Sequence, residues 1–215
     1  MSAQRAHADA FSMTAERSQR SRWSIHREEQ RNEIIQAAGQ VFAEVGYDCA
    51  NMRMVAERAG VAKPTLYAYF RGKSSLLEAV IEYWLSAIPT PVIEYMPEKT
   101  LRLQLNHASG ELLRQARHPA SLAFGQMVAL STLLPPIHLE RWRQRYSTHL
   151  YHLQKIFANR CYANDSALAA SQFVLLIVGD SDSGILASQD DHRAFAAVEL
   201  FVRTCTYMDH RTESK

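Results

Sequence analysis

From Glu28 to Val45 the apolar residues Ile34, Ala38, Val41, Phe42 and Val45 recur at three- and four-residue spacing, which makes one stripe along a helix. Gly46 ends the stripe. Asn51 is then placed to cap a second helix by accepting from the free amides of its first turn, and Met52, Val55, Ala56 and Ala59 face the core. Gly60 supplies a tight turn, and Pro64 fits the first turn of a third helix, where its missing amide hydrogen costs nothing. On that third helix Leu66 and Phe70 point one way and Lys63, Thr65, Tyr67 and Tyr69 the other. Two short helices joined by a Gly-led turn over Met52–Phe70 form a helix-turn-helix. The outer face of its second helix carries cation, hydroxyl and aromatic groups suited to phosphates and base edges in a major groove.

The pattern continues as helix. Ser75, with Glu78 three residues on, has the spacing of a capping box, and a fourth helix runs from it to about Ala87. Pro89, Pro91 and Pro97 break the stretch from Ile88 to Pro97. Five further helices are expected over Glu98–Arg117, Pro119–Leu133, Pro136–Tyr162, Ser166–Ser188 and Asp190–His210, separated at Pro119, Pro135, Pro136 and Asn164–Asp165. No segment alternates with a two-residue period, so the expected class is all-α with about nine helices. The expected divisions are a flexible basic arm over 1–26, a helix-turn-helix domain over 27–73 and a helical ligand-binding and dimerisation domain over 74–215.

Charge sharpens this division. Residues 1–75 hold eleven Lys and Arg against eight Asp and Glu, and the remainder holds thirteen against fourteen, so the positive excess lies with the helix-turn-helix. The first 26 residues have few large apolar groups to offset their ordering entropy. Arg17, Arg20 and Arg22 make them either a basic arm for a minor groove or for phosphates, or a solvated tail. Cys49, Cys161 and Cys205 are too few and too scattered for a disulfide framework or a zinc finger, which fits a reducing cytoplasm. No apolar run reaches the ~18 to 20 residues of a membrane span, and no signal-peptide apolar region is seen at the N-terminus.

The DNA-facing set expected from the residues is Arg53, in the first turn of the second helix, with Lys63, Pro64, Thr65, Tyr67 and Tyr69 on the third. One short reading helix spans few base pairs, and a symmetric dimer extends the site. Phe173, Leu176 and Ile177 on one helix, with Phe195, Val198 and Phe201 on the next, make stripes that serve either a four-helix dimer bundle or the internal core. Trp84, His107, Phe124, Met127, Trp142 and Tyr146 either line a largely apolar effector cavity or pack as core. The run Arg141-Trp142-Arg143-Gln144-Arg145 can attract an anionic ligand or form a solvated face.

Residues 28–81 resemble the DNA-binding domain of the tetracycline-repressor (TetR) family. The resemblance is carried by Ile35, Ala37, Ala38, Phe42, Gly46, Tyr47, Met52, Arg53, Val55, Ala56, Ala59, Gly60, Val61, Leu66, Tyr67, Tyr69, Phe70, Lys73, Leu76 and Leu77. The segment Ala169–Leu186 is similar to the penultimate helix of many members. Asn51, Met54, Pro64 and Gly72 depart from the common pattern. The resemblance implies a homodimeric repressor that binds a palindromic operator in double-stranded DNA and is released by a small effector. It also implies that Lys73 meets a phosphate.

Enzymatic readings find little support. There is no Gly-x-x-x-x-Gly-Lys-Ser/Thr and no His-Glu-x-x-His, and neither a cofactor nor a metal is implied. His149 and His152 share a helix face without an identifiable third ligand. Asp180-Ser181-Asp182-Ser183-Gly184 is similar to a calcium loop with its Gly one position early. An activator or a partner-binding sensor on the same scaffold is the alternative to a repressor.

Overall fold

The computed structural model describes residues 2–91, 96–160, 165–179 and 191–212, and among their side chains those from 24 to 207. These residues form α1 (Ser2–Cys49), α2 (Met52–Arg58), α3 (Lys63–Tyr69), α4 (Lys73–Ala87), α5 (Leu101–Ala116), α6 (Pro119–Ala129), α7 (Pro136–Arg143), α8 (Ser147–Ala158), α9 (Ser166–Val178) and α10 (Asp191–Thr212), with no strand among them. The chain is all-α, as its periodicity indicates.

The helix expected over Pro136–Tyr162 is divided. A 3-10 turn, Gln144–Tyr146, stands between α7 and α8. The cause is visible locally, because Arg145 Nη1 donates to the Trp142 carbonyl at 3.1 Å and so competes for an acceptor of the helix ladder. Other boundaries also move. α4 starts at Lys73, and Ser75, expected as its cap, sits inside the first turn, where its hydroxyl accepts from Gly72 N at 3.3 Å. α9 stops at Val178 because Gly179 adopts φ +76° and donates its amide to Leu175 O at 2.9 Å. The loop reading at Asp180–Gly184 lies outside the described residues.

The stretch 1–26, expected as a flexible arm, continues α1 back to Ser2. It holds no Gly or Pro and is rich in Ala and Arg, which favour helix. Cysteine usage differs from the expectation too: Cys49 is a free, exposed thiol, whereas Cys205 is disulfide-bonded.

Two apolar clusters hold the helices together. The first joins Ile34, Phe42, Val55, Leu66, Leu77 and Trp84 to Phe124, Met127 and Trp142, so α1 to α4 share one core with α6 and α7 and the packing does not part at residue 73. The second gathers Leu105, Leu112, Leu153, Phe157, Phe173, Val198 and Phe201 from α5, α8, α9 and α10.

The C-terminal end of α1 is clamped to the loop after α6. Gly46 takes φ +76°, and a β-carbon there would lie 2.4 Å from Leu130 O, so only glycine allows both the turn and the approach. Tyr47 N donates to Ser131 Oγ at 2.8 Å. The Asp48 carboxylate accepts from Thr132 N at 2.6 Å, Thr132 Oγ1 at 2.8 Å and Leu133 N at 3.1 Å. Those amide bonds, with Thr132 N foremost, hold the Asp48 carboxyl below its ordinary pKa. The entry to the helix-turn-helix is thereby fastened to the end of α6.

Candidate DNA-binding interface

Asn51 opens the interface, because its Oδ1 accepts from both Arg53 N and Met54 N at 3.1 Å and starts α2 without a capping box. The turn closes through Val61 N to Ala56 O at 3.0 Å, with Gly60 at φ +65° in open space. α3 then begins with Pro64 in its first turn and is anchored by the fully buried Leu66 and by Phe70. Across the back of α2, Arg58 forms a two-pronged pair with Glu44 of α1 at 2.6 and 2.8 Å, which fixes α2 on the scaffold.

What faces outward is narrower than the sequence suggests. Lys63, Pro64 and Tyr67 are exposed, Thr65 is half-buried between them, and the Lys63 ammonium lies 6.0 Å from the Tyr67 ring centroid. Arg53 is exposed and pairs with Glu57 at 2.7 Å, a surface pair weak enough for a phosphate to replace. Two of the expected residues make contacts within the chain. Tyr69 is half-buried against α1, donating its hydroxyl to Gln30 Oε1 at 2.8 Å with the Arg27 guanidinium 5.7 Å from its ring centroid. Lys73 donates to the carbonyls of Tyr47, Asp48 and Ala50 at 2.9, 3.3 and 3.0 Å, so all three ammonium hydrogens cap the end of α1. Arg71, passed over in the sequence, stands exposed between α3 and α4 with no ion pair among the described residues.

The expected pocket residues separate. Trp84, Phe124, Met127 and Trp142 are packed core, Phe124 and Trp142 being stacked at 4.0 Å and Trp84 edge-on to Phe124 at 6.3 Å. His107 is exposed on α5, and Tyr146 belongs to the second cluster. The expected dimer residues separate as well. Phe173, Ile177, Val198 and Phe201 are buried within the chain, because their side of each stripe faces the neighbouring helix, whereas Leu176 and Phe195 are exposed. Leu168, Leu175, Leu200 and Tyr207 are further exposed apolar residues of the same two helices. Among the described residues no three His, Cys, Asp or Glu side chains are placed to hold a metal, and no helix is long and apolar enough to cross a membrane.

Residues 34–80 match the family model described as "Bacterial regulatory proteins, tetR family", and this span includes the whole of the helix-turn-helix just described. Over this span the chain matches the DNA-binding domain of TetR-family regulators. It is 45% identical over 58 residues to the HTH-type transcriptional activator FasR of Mycolicibacterium smegmatis, a match covering 27% of this chain and 26% of that one. To the HTH-type transcriptional regulator BetI of Pectobacterium atrosepticum it is 27% identical over 185 residues, covering 84% of this chain and 93% of the relative. The structure of a TetR transcriptional regulator from Agrobacterium tumefaciens has the same fold, with a TM-score of 0.64 at 24% identity over 82% of this chain and 94% of that one. These similarities are to DNA-binding transcription regulators, and the matched span contains α2 and α3.

Proposed function

We propose that the chain acts in the cytoplasm as a homodimeric repressor that binds a palindromic operator and leaves it when a small effector binds. One observation carries this reading: a short α3 presents Lys63, Pro64, Thr65 and Tyr67 outward on a base fixed by Leu66, Phe70 and the Arg58–Glu44 pair. Lys63 and Arg53 approach phosphates, Thr65 and Tyr67 lie at the groove, and Arg71 supplies the phosphate contact that Lys73 does not. Leu168, Leu175 and Leu176 of α9, with Phe195, Leu200 and Tyr207 of α10, form the apolar faces that a second copy would cover in a four-helix arrangement. The name of FasR supports activation as a second outcome of the same contacts, decided by where the operator lies relative to the promoter.

The test is fluorescence anisotropy with DNA fragments from immediately upstream of the protein's own gene, from low to physiological salt, with unrelated DNA alongside. Saturable, salt-steep binding of two chains to one palindromic fragment supports the reading. Equal weak binding to every fragment sinks it.

A further inference from the structure

Arg145 is half-buried, and its guanidinium has no carboxylate partner among the described residues. It lies between the rings of Trp142 and Tyr146, 4.3 and 4.1 Å from their centroids. Nη1 donates to the Trp142 carbonyl and Nη2 to the Tyr146 hydroxyl, while Nε has no partner and no acid among the described residues pairs with the group. Burial raises the Tyr146 pKa, so its oxygen stays a neutral phenol and supplies no charge. Its neighbours in the run do otherwise, Arg141 pairing with Glu82 and Arg143 with Glu140.

One turn further on, His149 is 0% exposed, and neither of its ring nitrogens has a hydrogen-bond partner. Its ring lies edge-on to Tyr146 with centroids 6.0 Å apart, and Nδ1 of His152 is also unpartnered. The charged groups facing His149 from α5 are Glu111 and Arg114, which pair with each other, Glu111 acting the more strongly on the ring. Buried polar groups are normally satisfied, so atoms without a protein partner are open to water, an ion or a ligand.

Tyr146 also walls a cleft of about 190 Å³ whose other lining includes Leu150, Val174, Leu175 and Val178. An apolar space of ~150 Å³ takes up a benzene ring. Arg143 and Ser171 also line the cleft, and Tyr146, whose hydroxyl accepts from Arg145, is the wall between the cleft and that guanidinium.

We infer that Arg145, Tyr146, His149 and this cleft are the effector site, and that the effector is a small organic acid with a ring-sized apolar body. The carboxylate takes the place of the Tyr146 hydroxyl at Arg145 and reaches the free Nε edge, the neutral His149 donates one N–H to it, and the ring fills the aliphatic cleft. The 3-10 turn that carries Arg145 and Tyr146 is the element that shifts. Trp142, stacked on Phe124, carries that shift into the core shared with α1 to α4. This inference rests on the effector-responsive reading above.

Melting of the full-length chain with benzoate, cyclohexanecarboxylate and their amides separates the two readings, because it needs no DNA. The acids should raise Tm by about 3 °C at concentrations several-fold above their Kd, and the amides should not. Arg145→Met should abolish that response while the unliganded variant melts no lower than the parent, and Arg145→Gln provides the same readout if the Met variant does not fold. On an operator fragment, the acids should weaken binding of the parent tenfold or more and leave Arg145→Met unaffected. No acid-specific shift up to about 10 mM, or a shift that survives both variants, overturns the site; a shift without loss of DNA affinity overturns its role as the effector site. Absence of any operator binding, with the acid shift intact, counts instead against the operator-binding reading.

Discussion

The ammonium of Lys73 lies 4.4 Å from the centroid of the Tyr47 ring and donates to the Tyr47 carbonyl at 2.9 Å. With Asp48 O and Ala50 O it completes a cap on the carbonyls that the end of α1 leaves open, where the helix dipole also favours a cation. Hydrogen bonds to a charged group contribute about 1.5 to 3 kcal/mol, so Lys73→Met should lower unfolding stability by about 2 kcal/mol, read from the denaturant midpoint. The slope of log K against log salt for DNA binding should not change. Unchanged stability with a slope shallower by about one would return Lys73 to a phosphate.

Arg71 should behave in the opposite way. It is exposed and makes no ion pair among the described residues, so Arg71→Ala should leave the melting midpoint within experimental scatter. The salt slope should fall by about one on every DNA sequence alike. Thr65→Ala tests the other class of contact, with a loss of about 1 to 3 kcal/mol at one operator position and little on unrelated DNA. A uniform loss for Thr65→Ala would place it on the backbone.

The residues explain which of these assignments the sequence discloses. Asn51, Gly60 and Pro64 act through the backbone immediately around them, so the helix-turn-helix and its turn are legible from local pattern alone. Lys73 is different, because its acceptors sit more than twenty residues back and meet it only after α1 and α4 have packed. Phe173 and Phe201 lie on stripes that look alike whether the neighbouring helix belongs to the same chain or to a second copy, and packing assigns them to the same chain. In the run Arg141 to Arg145, alternate arginines rotate about 200° from one another on a helix. Arg141 and Arg145, four apart, would share a face of a regular helix, and it is the 3-10 turn Gln144–Tyr146 and the rings of Trp142 and Tyr146 that set Arg145 apart, a difference that a count of charges cannot express.

Gly46 and Asp48 test whether the loop after α6 positions the helix-turn-helix. Gly46→Ala forces a left-handed residue and drives its β-carbon to 2.4 Å from Leu130 O, a backbone atom that cannot swing aside. A loss of about 2 kcal/mol or more is expected, from the unfavourable φ and the displaced loop together. Asp48→Asn keeps the shape and removes the charge that the Thr132 and Leu133 amides favour. Its stability deficit relative to the parent should be present at neutral pH and vanish as pH falls below the ordinary carboxylate pKa of 3.8 and through the lower folded value. Calorimetry of both variants at several pH values checks this, and a deficit for Asp48→Asn that does not change with pH would refute the charge argument.

His149 gives the pH dependence a second component with its own window. Burial lowers its pKa from 6.5 to about 4, opposed by Glu111 and assisted by His152, Arg114 and Arg145. Between those values the unfolded chain binds a proton that the folded chain does not, so stability rises with pH across the window and is lost as pH falls from 6.5 toward 4. At 1.36 kcal/mol per unit the loss amounts to about 3 kcal/mol. Below about 4 both states are protonated and this component no longer changes. His149→Phe keeps the ring volume and deletes the proton site, and it also removes two buried nitrogens that have no partner. Its unfolding free energy at pH 7 should equal or exceed that of the parent, and the difference should widen by about 3 kcal/mol by pH 4. Urea titrations at half-unit pH intervals read this directly, and parallel curves for the parent and His149→Phe would mean that His149 is already accessible to protons in the folded chain.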